Sequence, residues 1–286
     1  MQFVSYNIQY GKGQDEQVDL ERIAREVAGA DVIALQEVDR FWPHTGMLDQ
    51  VQILNDCLPD YYWSYGPGVD IHIAETLPAD RRRRQFGNMV LSRFPILRSR
   101  HLLLPKVGSV DALSIQRSAV EATIDCGVTR LRVYSVHLCH LAAASRLPQV
   151  ARLMDIHRGA VHEGAPMCGD LSGIAYGAGI HDQQVPHYGL LMGDFNCQPD
   201  SREYDLIVGA ASDYGGRVSP EDGFVDAWVA AGNDRGEGPT SDVDGVPATL
   251  DYCFISPDLR HLVRAARVDA AATGSDHLPL WTEIDL

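Results

Sequence analysis

The 286-residue chain is 45% hydrophobic, which is enough for the core of one large α/β domain. Its 39 acidic and 24 basic side chains give a formal charge of -15, which repels polyanions and argues against a protein that coats nucleic acid nonspecifically. The six cysteines have no CxxC spacing and no stretch is long and apolar enough to cross a bilayer, so we expect a cytoplasmic protein with buried free thiols, no disulfide framework and no membrane insertion.

Strand and helix patterns alternate in the first third of the chain. Residues 3–6 predict a strand, and Asp19 is expected to cap the helix that follows. A second apolar run, at residues 32–35, predicts the next strand. Thr45 is expected to cap a second helix, and the aromatic residues at 61–65 predict a third strand.

The middle of the chain predicts a mixed sheet and one long helix. Residues 89–92 continue the series of strands, and the alternating runs at 120–124 and 131–135 indicate an antiparallel hairpin. A helix is predicted over residues 142–161. Because proline favours the first turn of a helix, its regular part is expected to begin at Pro148.

A glycine-rich segment separates this helix from the last strands. Residues 162–187 have no metal-ligand spacing, so we interpret them as an insertion at the rim of a single domain that spans residues 1–286, and we assign His181 and Asp182 no ligand role. The remaining strands are predicted at residues 190–193, 250–255 and 278–284.

Polar residues stand at the ends of the predicted strands. Buried strands are rigid, and polar groups at their ends converge at one rim of a sheet. We therefore predict a catalytic site there, built from Asn7, Glu37, His137, Asp194, Asn196, Asp251, Asp276 and His277.

Carboxylates at these positions suggest a metal and an activated water. Glu37 follows a buried strand, where a hard divalent cation would balance its charge; Mg²⁺ is the first candidate, Mn²⁺ the second, and a salt bridge to Arg40 the alternative. Asp194 and Asn196 are two residues apart and face the same side of an extended segment. They can align a water and hold a phosphate oxygen, or they can close an Asx turn.

The imidazoles suggest proton transfer. His277 can exchange a proton near neutral pH, and Asp251 can fix its tautomer. His137 can donate to a phosphoryl oxygen, although a structural role is the alternative. These are the parts that phosphoryl transfer requires. The sequence has no GxSxG, Walker or HExxH motif, which disfavours serine acyl transfer, P-loop chemistry and zinc peptidase action.

Several short motifs occur in a fixed order along nearly the whole chain. They are Tyr6-Asn7-Ile8, Leu35-Gln36-Glu37-Val38-Asp39, Gly87-Asn88-Met89-Val90-Leu91-Ser92, Val136-His137-Leu138, Gly193-Asp194-Phe195-Asn196, Leu250-Asp251-Tyr252 and Ser275-Asp276-His277. In this order they resemble the motifs of the endonuclease/exonuclease/phosphatase superfamily. The chain looks most similar to the bacterial metal-dependent hydrolases of this superfamily. The resemblance implies a four-layer α/β sandwich, with two packed mixed β-sheets flanked by helices.

The resemblance also implies a metal centre and a phosphate pocket. Glu37 is similar by position to the principal metal ligand, with Asn7 and Asp276 nearby. Asn88 and Arg117 match positions that line the phosphate pocket and are expected to bind substrate, although Arg117 is equally suited to a solvated strand position.

The catalytic roles that the resemblance implies fall on the other strand ends. Asp194 would orient the attacking water, and Asn196 and His137 would bind the scissile phosphate. His277, paired with Asp251, would transfer a proton or donate a hydrogen bond to the phosphate.

These expectations leave three functional hypotheses. A phosphodiesterase that acts on a small molecule or a lipid headgroup comes first. A nuclease acting on DNA or RNA comes second, because Gln9 replaces an aspartate found in several DNA-repair members and the charge of -15 disfavours nucleic acid as a partner. The run Arg81 to Arg84 can attract an anionic substrate or form a solvated loop. A catalytically inactive binding scaffold of the same fold is the third hypothesis.

Overall fold

The structure, a computed structural model, describes residues 1–72, 81–173, 175 and 184–286. Its strands are β1 (Gln2–Asn7), β2 (Val32–Arg40), β3 (Tyr62–Ile71), β4 (Arg84–Ser92), β5 (Ile96–Leu103), β6 (Ser118–Asp125), β7 (Arg130–His137), β8 (Gly189–Asp194), β9 (Ala210–Ala211), β10 (Arg217–Val218), β11 (Val225–Asp226), β12 (Ser241–Val243), β13 (Val246–Ala248), β14 (Asp251–Ile255), β15 (Val263–Val268) and β16 (Leu280–Ile284). Its α-helices are α1 (Leu20–Val27), α2 (Gln50–Cys57), α3 (Ala143–Glu163), α4 (Arg202–Val208) and α5 (Ala227–Ala230).

Two six-stranded mixed sheets form the centre of the fold. The first has the strand order β15-β16-β1-β2-β4-β3, and the second has the order β11-β14-β8-β7-β6-β5. Strands β1 and β2 are parallel, as are β7 and β8, and the other neighbours in the two sheets are antiparallel. The carboxyl ends of these two parallel pairs carry Asn7, Glu37, His137 and Asp194.

The two sheets pack face to face between layers of helices. One buried cluster joins Phe3 and Val90 of the first sheet to Val133 and Met192 of the second. A second cluster packs α1 and α2 against the outer face of the first sheet, and a third packs α3 and α4 against the outer face of the second. This four-layer arrangement confirms the predicted fold class.

Hydrogen bonds join the facing sheets below the strand ends. The Ser135 hydroxyl of β7 donates to the Leu35 carbonyl of β2 at 2.8 Å, and Gln36 Nε2 donates to that hydroxyl at 2.9 Å. All three groups are buried. Because a buried polar group is costly unless it is paired, these bonds fix how the ends of β2 and β7 face each other.

The caps of the first two helices show one correct and one wrong prediction. Asp19 caps α1, as expected, by accepting the Arg22 backbone N–H at 2.9 Å. Thr45 does not cap α2; Asp49 does, accepting the Gln52 N–H at 3.2 Å. Thr45 instead ends a 3₁₀ turn, and the next residue, Gly46, is left-handed with φ of 70°, which stops the turn before a helix can continue.

The long helix begins earlier than expected. Helix α3 starts at Ala143, so Pro148 lies in its second turn, and the prediction that the regular part begins at Pro148 is wrong. Pro148 lies on the exposed side of the helix, and its missing N–H removes one hydrogen bond of the helical ladder. The core side of the helix carries Val150, Met154 and His157.

The predictions for the remaining strands and for the cysteines are correct only in part. The hairpin of β6 and β7 is confirmed, whereas the edge strands β5 and β15 were not predicted, because their exposed, alternating residues lack a continuous apolar run. The cysteines are free thiols, but Cys168 is exposed and Cys57 only half-buried. Among the residues that the structure describes, no helix has the length and apolar character needed to span a membrane.

The described C-terminal flank of the 162–187 segment lies at the start of β8. Arg132 of β7 donates to the carbonyls of Pro186 at 2.8 Å and His187 at 3.1 Å. Arg132 also pairs in register with Gly189, at the opposite end of β7 and β8 from His137 and Asp194. The predicted positions His181 and Asp182 lie outside the described residues.

Gly193 allows β7 and β8 to approach closely beside the strand ends. Its φ is 152°, and a Cβ there would overlap the backbone carbonyl of Val136. We therefore expect Gly193→Ala to lower the free energy of unfolding by about 2–3 kcal/mol, because the backbone has to shift. Urea unfolding measures this change. Gly108→Ala, where no atom lies within 4 Å of the new Cβ, is the control and should change stability by less than about 0.5 kcal/mol; equal losses would contradict the explanation.

Candidate active site

Polar residues from both sheets meet at the carboxyl ends of the parallel strands. On the second sheet, His137 of β7, Asp194 of β8 and Asp251 of β14 stand side by side in register. On the first sheet, Asn7 ends β1 and Glu37 lies near the end of β2. The structure therefore brings together residues that are far apart in the sequence, such as Asn7 and Asp251.

Asp194 is at the centre of this cluster. Its Oδ2 accepts hydrogen bonds from Asn7 Nδ2 at 3.0 Å and from Asn196 Nδ2 at 3.2 Å, and it lies 3.3 Å from His137 Nε2. Its Oδ1 accepts the backbone N–H of Asn196 at 2.8 Å. Burial raises the pKa of Asp194 above its ordinary value, an effect that the positive charge of His277 opposes. Asp194 is thus a rigidly held carboxylate with increased affinity for a proton.

Asn196 completes an Asx turn without leaving the cluster. The hydrogen bond from its backbone N–H to Asp194 Oδ1 is the turn that the sequence left open as an alternative. Its side-chain amide donates to the Leu138 carbonyl at 3.1 Å and to Asp194 Oδ2. The turn and the site are compatible, because Asp194 uses one oxygen for the turn and directs the other toward Asn7 and His137.

His277 is held by Asp251. Its Nδ1 donates to Asp251 Oδ2 at 2.7 Å, which directs Nε2 toward Asp194 Oδ2, 3.8 Å away. Burial lowers the pKa of His277, but the charge and hydrogen bond of Asp251 outweigh burial and raise that pKa to about 10. His277 is therefore an imidazolium at neutral pH, with Nε2–H available to the cluster.

His137 has the opposite protonation state. Arg117 Nη1 lies 3.1 Å from His137 Nδ1, and because a guanidinium can only donate, Nδ1 is the acceptor and the ring hydrogen is on Nε2. That Nε2–H faces Asp194, with Glu37 Oε1 at 3.9 Å. Burial and the positive charge of Arg117 hold the pKa of His137 well below its usual value. His137 is thus a neutral hydrogen-bond donor.

Glu37 projects from an irregularity in β2. The register between β2 and β4 shifts between Leu35 and Val38, and Glu37 has a left-handed φ of 60°. Burial raises the pKa of its carboxyl group, and Arg117 partly opposes the shift. Its sequence-based alternative partner, Arg40, is instead bound to Asp49 at 2.6 and 2.8 Å.

The remaining predicted residues lie around the cluster. Asp276 is exposed and accepts hydrogen bonds from Gln9 Nε2 at 2.7 Å and from the Ser275 hydroxyl at 3.2 Å. Asn88 is buried; its Nδ2 donates to the Ser118 carbonyl at 2.6 Å, while its Oδ1 has no hydrogen-bond partner among the described residues. It lies on β4 where β4 faces the irregular part of β2.

Arg117 is positioned behind the histidines. Its guanidinium is buried, and besides contacting His137 its Nη2 lies 3.0 Å from His140 Nδ1. In this arrangement Arg117 acts on the site through His137, and its contact with a substrate stays a prediction. The solvated strand position that was its alternative does not apply, because Arg117 is only 5% exposed.

Three supporting residues were not assigned these contacts from the sequence. Ser275 donates to the Asn7 carbonyl at 2.8 Å, Gln9 holds Asp276, and His140 shares Arg117 with His137. The sequence could have indicated Gln9, because it lies two residues after Asn7. The contacts of Ser275 and His140 depend on elements that meet only in the folded chain.

The charges of the cluster fit a divalent cation. Glu37, Asp194, Asp251 and Asp276 supply four carboxyl groups, whereas the adjacent cationic groups are Arg117 and His277. Buried carboxylates in excess of their cationic partners are costly, and a bound cation would remove that cost. Within the described part of the chain, no three His, Cys, Asp or Glu side chains form a complete ligand group. The charges thus fit an oxygen-ligated ion that keeps several waters, and Glu37 as its ligand stays a prediction.

Comparisons with known proteins agree with this fold. The family model described as Endonuclease/Exonuclease/phosphatase family matches residues 4–277, and the chain belongs to that family. The comparison with curated proteins gave no match.

Solved structures share the fold at low sequence identity. An endonuclease/exonuclease/phosphatase family protein from Leptotrichia buccalis C-1013-b is 20% identical with a TM-score of 0.65, covering 100% of both chains. A mannosyl-6-phosphatase from Bacteroides thetaiotaomicron VPI-5482 is 16% identical with a TM-score of 0.62, covering 99% of both. The human Nocturnin catalytic domain with bound sulfate is 20% identical with a TM-score of 0.61, covering 99% of this chain and 93% of that one.

The Asp251–His277 pair gives a test of the site's electrostatics. Asp251→Asn removes the charge that most strongly favours imidazolium, so the pKa of His277 should fall below its wild-type value of about 10. An NMR titration of the His277 ring protons in metal-free protein measures the shift. Asp276→Asn is the matched control and should lower that pKa less, because Asp276 contributes less than Asp251. An equal decrease in both variants would contradict the assigned pairing.

Proposed function

We propose that the protein is a divalent-metal-dependent phosphoesterase that hydrolyses a phosphodiester, with a small molecule or a lipid headgroup as its substrate. The observation that carries the proposal is the 2.7 Å bond between Asp251 and His277, which keeps an imidazolium beside Asp194. Such an imidazolium next to a buried acidic cluster suits charge that develops on phosphoryl oxygens. Mg²⁺ is the proposed metal and Mn²⁺ the alternative.

The proposed reaction is the in-line attack of water on phosphorus. Asp194 orients the water and accepts its proton, which its raised pKa favours. As the water oxygen bonds to phosphorus, the bond between phosphorus and the leaving oxygen breaks, and the leaving oxygen takes a proton from solvent. His277 donates Nε2–H to a phosphoryl oxygen, and His137 with Asn196 binds the same phosphate. Mg²⁺ would neutralise charge on the phosphate when bound. Glu37 would hold it, with Asn7 and Asp276 nearby.

The hydrogen bonds of Asn7 suit a residue that orients carboxylates better than one that binds a metal. Its Oδ1 accepts the Gln9 backbone N–H at 3.1 Å, and its Nδ2 faces Glu37 Oε1 at 3.4 Å and Asp194 Oδ2. An amide nitrogen donates hydrogen bonds and does not bind a cation. We therefore propose that Asn7 mainly orients the Glu37 and Asp194 carboxylates, and that Glu37 binds the metal.

A nuclease is the second candidate, since it would use the same residues. The specific observation in its favour is the basic run from Arg81 to Arg84 beside aromatic residues. The charge of -15 weighs against a long polyanion. An inactive scaffold is the weakest candidate, because a protein without catalysis gains nothing from keeping these buried carboxylates together.

An activity assay separates these candidates. With Mg²⁺ present, we expect the protein to hydrolyse bis-p-nitrophenyl phosphate, while plasmid and single-stranded DNA are cleaved slowly. His277→Ala should reduce turnover by on the order of a hundredfold or more, because it removes the positioned donor. Strong DNA cleavage without small-ester turnover would reverse the order of the first two candidates. An unchanged rate in His277→Ala would exclude the assigned role of His277.

The proposed role of Glu37 can be tested separately, by measuring how tightly the protein binds Mg²⁺. Glu37→Gln should weaken Mg²⁺ binding by at least about tenfold, because the amide removes the charge that attracts the ion. Isothermal titration calorimetry measures the affinity directly, and Mg²⁺ should raise the melting temperature of the wild-type protein but not of the variant. Glu16→Gln, on an exposed side chain bound to Lys12, is the control. A magnesium titration that did not move in Glu37→Gln would contradict the assignment.

A further inference from the structure

A surface of three rings and one arginine lies beside the cluster. We call it the stacking surface and define it as Tyr10, Trp42, His44 and Arg84. The Tyr10 and His44 ring centroids are 4.8 Å apart with the rings edge to face at 79°, and those of His44 and Trp42 are 5.8 Å apart with the rings tilted by 44°. The Arg84 guanidinium carbon lies 5.9 Å from the centre of the Trp42 ring. Tyr10, Trp42 and Arg84 are half-buried, and the His44 side chain is 49% exposed.

The stacking surface begins at the edge of the candidate active site. Tyr10 follows Gln9, whose side chain binds Asp276. Burial raises the pKa of the Tyr10 phenol, and the charges of Glu37 and Asp276 contribute to that shift, which places the ring within their electrostatic reach. From Tyr10 the rings continue through His44 to Trp42. A ligand bound at the site can therefore extend along them.

The rings are held in place. Trp42 Nε1 donates to the Gln85 carbonyl at 2.8 Å, and His44 Nε2 lies 2.9 Å from the buried Asp39 carboxylate. The Tyr10 backbone, left-handed with φ of 46°, accepts a hydrogen bond from the buried Gln50 at 2.6 Å. Rigid aromatic rings lose little entropy when a planar ligand stacks on them, which is a property of binding surfaces.

The arginines around these rings differ in whether they form salt bridges. Arg83 is bound to Asp70 at 2.6 Å, and Arg40 to Asp49. Arg84, in contrast, forms no salt bridge with any residue that the structure describes, although the whole chain carries a charge of -15. A guanidinium that stacks on an indole keeps its edge free for an anion.

We propose that the stacking surface binds a nucleotide portion of the substrate, with the base against the Trp42 ring and an outer phosphate on Arg84. The inference rests on the proposed phosphodiesterase function and narrows its substrate to short nucleotide phosphodiesters. Stacking accepts any base, and one guanidinium without a carboxylate partner among the described residues suits one phosphate. The strongly negative charge of the rest of the molecule favours a short ligand over a polymer.

Kinetics with three phosphodiesters test the surface. They are methyl p-nitrophenyl phosphate, a deoxyadenosine dinucleotide, and the same dinucleotide with a 5′-phosphate. Trp42→Ala should lower kcat/KM for both dinucleotides by on the order of tenfold to a hundredfold, mainly through KM, and leave methyl p-nitrophenyl phosphate unchanged. Trp42→Phe should restore most of the loss. A loss that is equal for all three esters would overturn the proposal.

The 5′-phosphate isolates the contribution of Arg84. In the wild-type protein the 5′-phosphorylated dinucleotide should have the higher kcat/KM, and Arg84→Gln should abolish that advantage. Arg83→Gln is the matched control, since Arg83 belongs to the same basic run but is already paired with Asp70. An Arg84→Gln variant that keeps the full preference for the 5′-phosphate would overturn the assignment.

A binding measurement separates this proposal from the proposed function. Isothermal titration calorimetry with adenosine 5′-monophosphate should show binding that Trp42→Ala and Arg84→Gln each weaken at least about fivefold. If no diester is hydrolysed but this dependence holds, the phosphodiesterase function fails and the stacking surface stands. If methyl p-nitrophenyl phosphate is hydrolysed but adenosine 5′-monophosphate binds wild type and variants equally, the function stands and the stacking surface is rejected.

Discussion

The arrangement depends on burying the Asp194 carboxylate at the meeting point of two sheets. Only 2% of this residue is exposed, so the carboxylate loses its hydration and must be compensated by the protein. Asn7, from the first sheet, and Asn196, from the same loop, supply that compensation. Gly193 allows the Asp194 carboxylate to reach this position, because a residue without a side chain lets β8 lie against the backbone of Val136. Fold and site are therefore coupled through one buried charge.

Two histidines flank Asp194 and are set to opposite protonation states by their neighbours. Asp251 binds the ring of His277 and stabilises the imidazolium, whereas Arg117 binds the ring of His137 and stabilises the neutral form. The site thereby offers one charged and one neutral donor. Their second nitrogens converge on Asp194 Oδ2, at 3.8 Å from His277 and 3.3 Å from His137. A phosphate that enters this space would meet two imidazole N–H donors. Asp251 and Arg117 already orient these rings through the nitrogens that face away from the phosphate.

The sequence predicted what depends on continuous runs of residues. Apolar stretches ending in polar residues predicted the central strands, and the carboxyl ends of the parallel pairs carry Asn7 in one sheet and Asp194 in the other. The tautomer of His137 could not be predicted, because it depends on Arg117 from another strand. The backbone conformation of Glu37 could not be predicted either, because its left-handed φ occurs where the register between β2 and β4 shifts. The failed cap at Thr45 shows that a good capping residue does not act when a turn ends beside it.

The distribution of charge around the candidate site supports the ligand class that we propose. Around Asp194 the carboxyl groups outnumber the cations, so a bare phosphate is repelled until a divalent ion lowers the local charge. Arg84 carries a positive charge beside this region without a carboxylate partner among the described residues. With the proposed metal bound, an anion that reached both places would gain from the metal at one end and from the guanidinium at the other. Because the chain carries a net charge of -15, a longer polyanion would also meet repulsion, which is why we propose a short ligand.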